Sequence, residues 1–289
     1  MMRGNGMSEK IKTKPIRFNP KMIGIYAVLI FYTLYTIYPI FLMVVTALKT
    51  NKEIFTNPAG LPINVTFSGF ETLFKKQNFA IYFGNSFFVT IISVLILLTV
   101  SLLLSYALSR YTSKISKIMY FYFLAGMMIP LRLGLLSLND LIYKLGLIDN
   151  LWGLILIYST MEIPFTMLIL TGFIKMIPNA LEESAFIDGA NTWTILTKII
   201  IPLIKPAIAT VLVYNFVPIW NDVFFPLIFI KTPSKRPLML AVTMFFGQYS
   251  TNWNLVFSAL SLACLPVIII YICGSKFLIK GLMAGSVKG

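Results

Sequence analysis

Two short stretches hold most of the side chains that could do chemistry. The first, LEESAFIDGANTWTILTKIIIP (residues 181–202), gathers Glu182, Glu183, Asp188 and Lys198 around Gly189 and closes on Pro202. The second sets Tyr214, Asn215, Trp220, Asn221 and Asp222 within one apolar run, and Glu162 stands beside Pro164 further upstream. The chain contains no histidine, which removes histidine metal sites, Ser-His triads and imidazole proton relays. Its carboxylates are too sparse for a convincing metal site or acid–base pair. No Gly-rich phosphate loop followed by Lys-Ser or Lys-Thr is present. No catalytic residue and no metal ligand is therefore assigned, and no cofactor is expected in this chain. Recognition and mechanical work remain. Aromatic rings beside amide and carboxyl groups suit a sugar, with stacking on its apolar face and hydrogen bonds to its hydroxyls. The equal alternative is structural, with Asn221 and Asp222 bracing a broken helix ahead of Pro226. Glu162 is read first as a helix brace and second as a group lining the same route.

Membrane spans must position these residues. The chain is 58% apolar and 12% charged, with a mean hydropathy of +0.84. Repeated apolar runs longer than about 18 residues point to an all-α polytopic membrane protein. Six spans can be drawn, at about 22–48, 83–109, 117–138, 152–175, 201–230 and 256–279. The first offers ~40 Å of helix against a ~30 Å hydrocarbon core, so tilt or a kink near Pro39 must absorb the excess. Its length, after a basic tail, marks a signal-anchor rather than a cleaved signal peptide. Pro130, Pro164, Pro218, Pro226 and Pro266 fall in or near spans and mark kinks. Arg132 is expected to snorkel to the outer surface. Cys264 and Cys273 share one apolar run, more than about 10 Å apart along a helix, and cannot bridge each other.

The formal charge of +14 sits at the ends of hydrophobic runs, which fits membrane flanks better than nucleic acid. Residues 1–21 form a basic tail holding Arg3, Lys10, Lys12, Lys14, Arg17 and Lys21. That bias places both termini in the cytoplasm, with a six-helix domain over 22–280 and a cytoplasmic C-terminal tail over 281–289. Residues 181–202 then lie in the cytoplasm between spans four and five, because inserting four charges would cost roughly 10 kcal/mol. Pro178 suits a first helical turn, and Glu182 and Glu183 suit the positive helix end. Gly189 permits the turn that ends the helix, and Asn191 or Thr192 can cap a second one through Trp193. Pro202 would then start span five. Such a pair is either an interfacial amphipathic helix resting on lipid or a docking knob anchored by Phe186, Ile187 and Trp193.

Glu183-Ser184-Ala185, three residues, Gly189, nine residues, then Ile199-Ile200-Ile201-Pro202 resembles the EAA loop of ABC importer permeases. Ser184 stands where that motif has Ala, and Ile201 where it has Leu. GNSFFVT (84–90), SYALSRY (105–111), MMIP (127–130), WNDVFFPLI (220–228) and the ending GLMAGSVKG (281–289) resemble the carbohydrate branch, the MalG type of maltose and multiple-sugar importers.

The resemblance implies a type I importer permease fold whose loop 178–198 forms coupling helices in a cleft on an ATP-binding subunit. Glu183 would make a polar contact there and Gly189 the bend, with Ser184, Ala185, Phe186, Asp188 and Trp193 sharing the surface. Ala284, Gly285, Ser286, Val287 and Lys288 would reach the ATPase dimer interface, where sequence alone reads a flexible terminus. Gln248, Tyr249, Asn252 and Trp253 would meet a solute-binding protein, an aromatic interface anchor being the alternative. The loop 49–82 is long enough to add a patch for the same partner. The implied partners are a second permease, two ATPase subunits that bind ATP and Mg, an extracytoplasmic solute-binding protein, a sugar, and the lipid of a bacterial cytoplasmic membrane. An ion-coupled secondary transporter is the rival within transport, though only Glu162 and Asp222 could serve its charge relay. A membrane-embedded enzyme is the rival outside it.

Overall fold

The computed structural model describes residues 20–129, 131–246 and 251–286, and among them no strand occurs. From the N-terminus come α1 (Pro20–Ala47), α2 (Asn51–Thr56), α3 (Ser68–Lys76), α4 (Phe79–Arg110), α5 (Lys114–Met127) and α6 (Leu135–Lys144). Next are α7 (Leu151–Met161), α8 (Ile163–Lys175) and two short helices, α9 (Asn179–Ile187) and α10 (Thr192–Ile195). A π-helical turn over Leu196–Ile200 leads into α11 (Ile201–Leu203) and α12 (Lys205–Asn221). The chain closes with α13 (Phe224–Phe229), α14 (Leu238–Thr243) and the long α15 (Trp253–Ser286).

Among the described residues, three helices are long and apolar enough to cross a membrane: α1, α4 and α15. Two bent pairs qualify as broken spans, α7 with α8 at 43° and residues 192–203 with α12 at 76°. The expected third span is shorter than its apolar run. α5 has 14 residues, about 21 Å of helix, and alone falls short of a ~30 Å core.

Proline explains the breaks. Pro164 has no N–H to give the Thr160 carbonyl, and the chain turns at Glu162 between α7 and α8. Pro202 and Pro206 sit four apart, so the carbonyls of Lys198 and Pro202 both lose their helical donors. The π turn over Leu196–Ile200 takes up the first loss; the bend at Ile204 follows the second. The fifth span therefore does not run as one helix from about 201 to 230. It begins after Ile204 and breaks again at Asp222 and Val223. Pro39 and Pro266, in contrast, lie inside helices that continue past them.

α4 is the central post, packed along α7, α8 and α12. Its buried face carries Ser86, Thr90, Ser93, Ser101 and Ser105, with Leu97 in the same row. Spacings of three and four put them on one side, and small side chains let neighbouring helices approach closely. Ser105 Oγ donates to the Met167 carbonyl at 3.2 Å, and Ser159 Oγ to the Ser93 carbonyl at 3.4 Å.

At the end of the bundle that carries α2 and α3, Asn254 staples three elements. Its Nδ2 donates to the Ala47 and Lys49 carbonyls at 2.9 and 2.6 Å, and its Oδ1 accepts from Ser68 Oγ at 3.2 Å. Gly69 lets α3 seat here, because a Cβ would collide with Ser258 and Asn254. α1 leans on α15 but otherwise exposes its apolar side chains, as a lipid-facing helix would. Both cysteines are free.

Candidate functional site

The polar stretch between the two broken spans folds as a bent helix pair. Pro178 is extended and caps α9, one residue ahead of the helix rather than in its first turn. α9 ends in a Schellman turn: the Gly189 N–H donates to the Phe186 carbonyl at 3.0 Å, and the Ala190 N–H to the Ala185 carbonyl at 2.9 Å. Gly189 has φ +82°, a region that costs a residue with a Cβ roughly 1–2 kcal/mol. Asn191 caps α10, its Oδ1 accepting the Thr194 N–H at 2.8 Å. Ser184 Oγ donates back to the Ala180 carbonyl at 2.7 Å.

One side of this pair is seated and the other is displayed. Ile195, Leu196 and Ile200 are buried against Leu170 and Ile174 of α8, Ala207 and Val211 of α12, and Tyr106 of α4. Glu183, Ser184, Asp188 and Gly189 are exposed, and Ala185 is half-buried. Around the bend stand three large apolar side chains, Phe186, Ile187 and Trp193, which are 50%, 87% and 65% exposed.

Glu182 faces inward, a role its place in the first turn of α9 did not announce. It is buried and accepts from Arg110 Nε at 2.6 Å and from the Tyr106 hydroxyl at 2.9 Å. Arg110 Nη2 also donates to the Ile177 carbonyl at 3.2 Å. The available signal was an arginine closing a long apolar run and a glutamate one position from an exposed one.

The break at Glu162 and the one at Asp222 flank a partly open cavity of about 110 Å³ lined by Tyr158, Met161, Glu162, Asn215, Pro218, Ile219, Asp222 and Phe225. Glu162, distant in sequence, thus shares a cavity wall with Asn215 and Asp222. Asp222 braces the break: its carboxyl accepts from the Tyr158 hydroxyl at 2.6 Å and from the N–H groups of Phe224 and Phe225 at 3.1 Å each. Asn215 Nδ2 donates to the Val211 carbonyl at 2.6 Å and to Thr166 Oγ1 at 3.0 Å. Its Oδ1 takes no hydrogen bond from the described residues. Tyr214 is half exposed and packs its ring 4.3 Å from that of Phe165, while Asn221 is exposed.

Trp220 lies elsewhere. It is 1% exposed, donates Nε1–H to the Ala263 carbonyl at 3.0 Å and stacks on Phe216. With its indole nitrogen satisfied by α15 and its faces covered, it is a core residue, not a lining one.

Of the loop residues, Gln248 and Tyr249 lie outside the described residues. Asn252 Oδ1 accepts from Asn51 Nδ2 at 3.0 Å and from the Leu255 N–H at 3.1 Å, opening α15. Trp253 packs between Phe246 and Phe257. Ala284, Gly285 and Ser286 continue α15, so the helix outruns the expected end at about 279; Val287 and Lys288 lie outside the described residues.

A second polar knot ties the loop before α7 to the loop after α13. Asp149 accepts from the Lys231 and Thr232 N–H groups at 2.9 and 2.8 Å, from Thr232 Oγ1 at 2.6 Å and from Lys235 Nζ at 3.2 Å. These bonds, the Thr232 hydroxyl first, hold its carboxyl well below the usual carboxylate range.

A helical membrane body with broken spans beside a cavity that carries Glu162, Asn215 and Asp222 in its wall has the make-up of a transport component. Residues 101–282 match the family described as "Binding-protein-dependent transport system inner membrane component". The chain belongs to that family. It is 35% identical over 259 residues to the putative ABC transporter permease protein ORF2 of Caldicellulosiruptor sp. (strain Rt8B.4), covering 89% of this chain and 94% of that protein. Identity is 33% over 250 residues to the probable starch degradation products transport system permease protein AmyC of Thermoanaerobacterium thermosulfurigenes, with 86% and 91% covered. It is 32% over 254 residues to the multiple sugar-binding transport system permease protein MsmG of Streptococcus mutans, again covering 86% and 91%. Among solved structures, a chain of a bacterial ABC transporter involved in the import of the acidic polysaccharide alginate matches with a TM-score of 0.78. It is 23% identical, with 92% of this chain and 100% of that one covered, a likeness of fold.

Proposed function

We propose that this chain is one of two permease subunits of a carbohydrate ABC importer of the MalG type, lining half of the route for a sugar or oligosaccharide. Family membership and the sugar-transport relatives support the class. The observation that carries the mechanism is the apolar tip of the knob, Phe186, Ile187 and Trp193, exposed on a pair of helices whose other side is firmly seated. A loop resting passively on lipid needs neither the Schellman turn at Gly189 nor the Asn191 cap. A lever does, because a loose element would absorb the push.

In this reading two partner ATPase subunits hold ATP and Mg, and the knob sits in a cleft on one of them, with Glu183 adding a polar contact. Closure of the ATPases displaces the knob, the packed helices swing as bodies, and the cavity opens alternately to the two sides. Glu162, Asn215 and Asp222 line the route, and Asn215 Oδ1, buried and without a hydrogen bond from the described residues, meets a sugar hydroxyl once the moving helices uncover it. Both termini are cytoplasmic in a bacterial cytoplasmic membrane. α5, extended by the turn over Leu131–Gly134, makes the third of six crossings. The end bearing α2, α3 and the loop before α15 faces a solute-binding protein, and residues 284–288 reach toward the ATPases.

Uptake of a panel of labelled oligosaccharides into vesicles that contain the assembled importer and ATP, with no ion gradient, tests this. ATP-dependent uptake that needs the binding protein is expected. Uptake driven by a proton or sodium gradient without ATP would favour the ion-coupled carrier.

A further inference from the structure

We propose that Arg110, Tyr106 and Glu182 are positioning residues for the coupling step, transferring the motion of the α9–α10 knob to α4, which carries it across the membrane. The proposal rests on the docking reading above. The chain itself joins the knob to α8 and α12, but both of those routes are jointed. α8 meets α7 at a 43° bend, and α12 is reached through the π turn and a 76° bend. A joint turns displacement into local flexing.

α4 has no such joint. It runs for 32 residues without proline, about 48 Å, more than a ~30 Å hydrocarbon core. Its knob end is clasped, since Glu182 receives the Arg110 guanidinium and the Tyr106 hydroxyl, two groups one helical turn apart. The ion-pair side chains are 13% and 8% exposed and stand in the wall of an open pocket of about 260 Å³, so the pair is mostly shielded from water, and removing one partner leaves a largely buried charge unpaired, which is unfavourable. Arg110 also holds the Ile177 carbonyl, which fixes the chain just before α9.

The far end of α4 is tied as well. Asn85 Nδ2 donates to the Ser234 and Arg236 carbonyls at 2.9 and 3.1 Å, and Ser86 Oγ accepts the Leu238 N–H at 2.7 Å. That loop is the one knotted to Asp149. A push on the knob is therefore delivered, through one unbroken helix, to the loop that joins α13 to α14 on the opposite face.

The test uses the importer purified with its ATPase subunits and reconstituted into sealed vesicles, and needs no knowledge of the sugar. Cys264→Ala and Cys273→Ser remove the native thiols, and Met161→Cys places a reporter in the cavity. The rate at which a membrane-impermeant methanethiosulfonate, added on the α2–α3 side, modifies that cysteine is measured with and without ATP plus vanadate. With the clasp intact, the rate changes on adding nucleotide. Glu182→Gln and Arg110→Ala cut that response by about fivefold or more while the ATPase remains bound, and Arg110→Glu with Glu182→Arg restores most of it. Should Arg110→Ala fail to accumulate, the near-isosteric Glu182→Gln decides. An undiminished response in Glu182→Gln overturns the proposal, as does loss of ATPase binding in that variant, which would make the clasp part of the docking surface. Failure of the docking reading looks different: the ATPase would not co-purify even with the clasp intact.

Discussion

If the tip of the knob is a docking anchor, trimming it should weaken ATPase binding by an amount the structure sets. Ile187 is 87% exposed in this chain, so nearly all of its side chain remains to be covered by a partner. Full burial of such a side chain is worth about 1.5–3 kcal/mol. Ile187→Ala keeps one methyl group, so roughly 2 kcal/mol is lost on docking. At 1.4 kcal/mol per decade this is a Kd weaker by about thirtyfold. Trp193, 65% exposed, belongs to the residue type that most often dominates interfaces, and Trp193→Ala should cost about 2 kcal/mol or more. If both side chains enter one pocket of the partner, the double variant need not show the sum. The assay titrates the purified ATPase onto the detergent-solubilised permease and reads binding by fluorescence anisotropy. Helix content and thermal midpoint should stay near the parent's, because neither side chain is buried within the chain. Phe31→Ala on α1, 72% exposed, serves as the control and should leave Kd within about twofold, as lipid-side surface would. Kd values for Ile187→Ala and Trp193→Ala that both fall within about threefold of the parent would refute the assignment of this patch to docking.

Other consequences are as direct. Gly189→Val has open space around its Cβ, but a β-branched residue at φ +82° is strained; it should open the Schellman turn, at about 1–2 kcal/mol, and raise amide exchange at Ala190 while Gly126→Val, with equally open space and no such φ, does not. Asp222→Asn keeps an acceptor for α13 and should shift the thermal midpoint modestly. Asp222→Ala takes the acceptor from the Tyr158 hydroxyl and the Phe225 N–H and should cost about 2 kcal/mol or more. Asp149, its carboxyl held low in the folded state, contributes stability that is fully present above the unfolded pKa near 3.8 and is lost as pH falls through the folded value. The thermal midpoint of the parent should therefore drop more steeply below about pH 4 than that of Asp149→Asn.

The features legible in the sequence were those fixed by neighbours along the chain. A glycine in the left-handed region, an asparagine two residues later and a proline before the helix define the knob locally, so its two helices and its bend could be read in advance. The long apolar run ending at Arg110 likewise announced α4. What depended on distant residues was hidden. Glu182 and Glu183 look alike in a linear reading, and only the fold shows that one meets Arg110 while the other faces outward. Trp220 sat among polar neighbours, yet its helix turned it toward Phe216 and α15. The break at Ile204 was available in principle, because Pro202 and Pro206 remove two donors four residues apart, but an apolar run reads as one span when only hydropathy is weighed. The cavity was half legible: its polar residues stand out, but their meeting depends on how the bend at Glu162 packs against the break at Asp222, which no spacing rule supplies.

The lever is the point on which the account stands, and imaging the assembled importer by electron cryomicroscopy in a nucleotide-bound state tests it most directly. Residues 178–198 should lie in a cleft of an ATP-binding subunit, with Ile187 and Trp193 covered and Glu182 still held by Arg110. Finding those residues flat on the bilayer surface, apart from any nucleotide-binding neighbour, would contradict it.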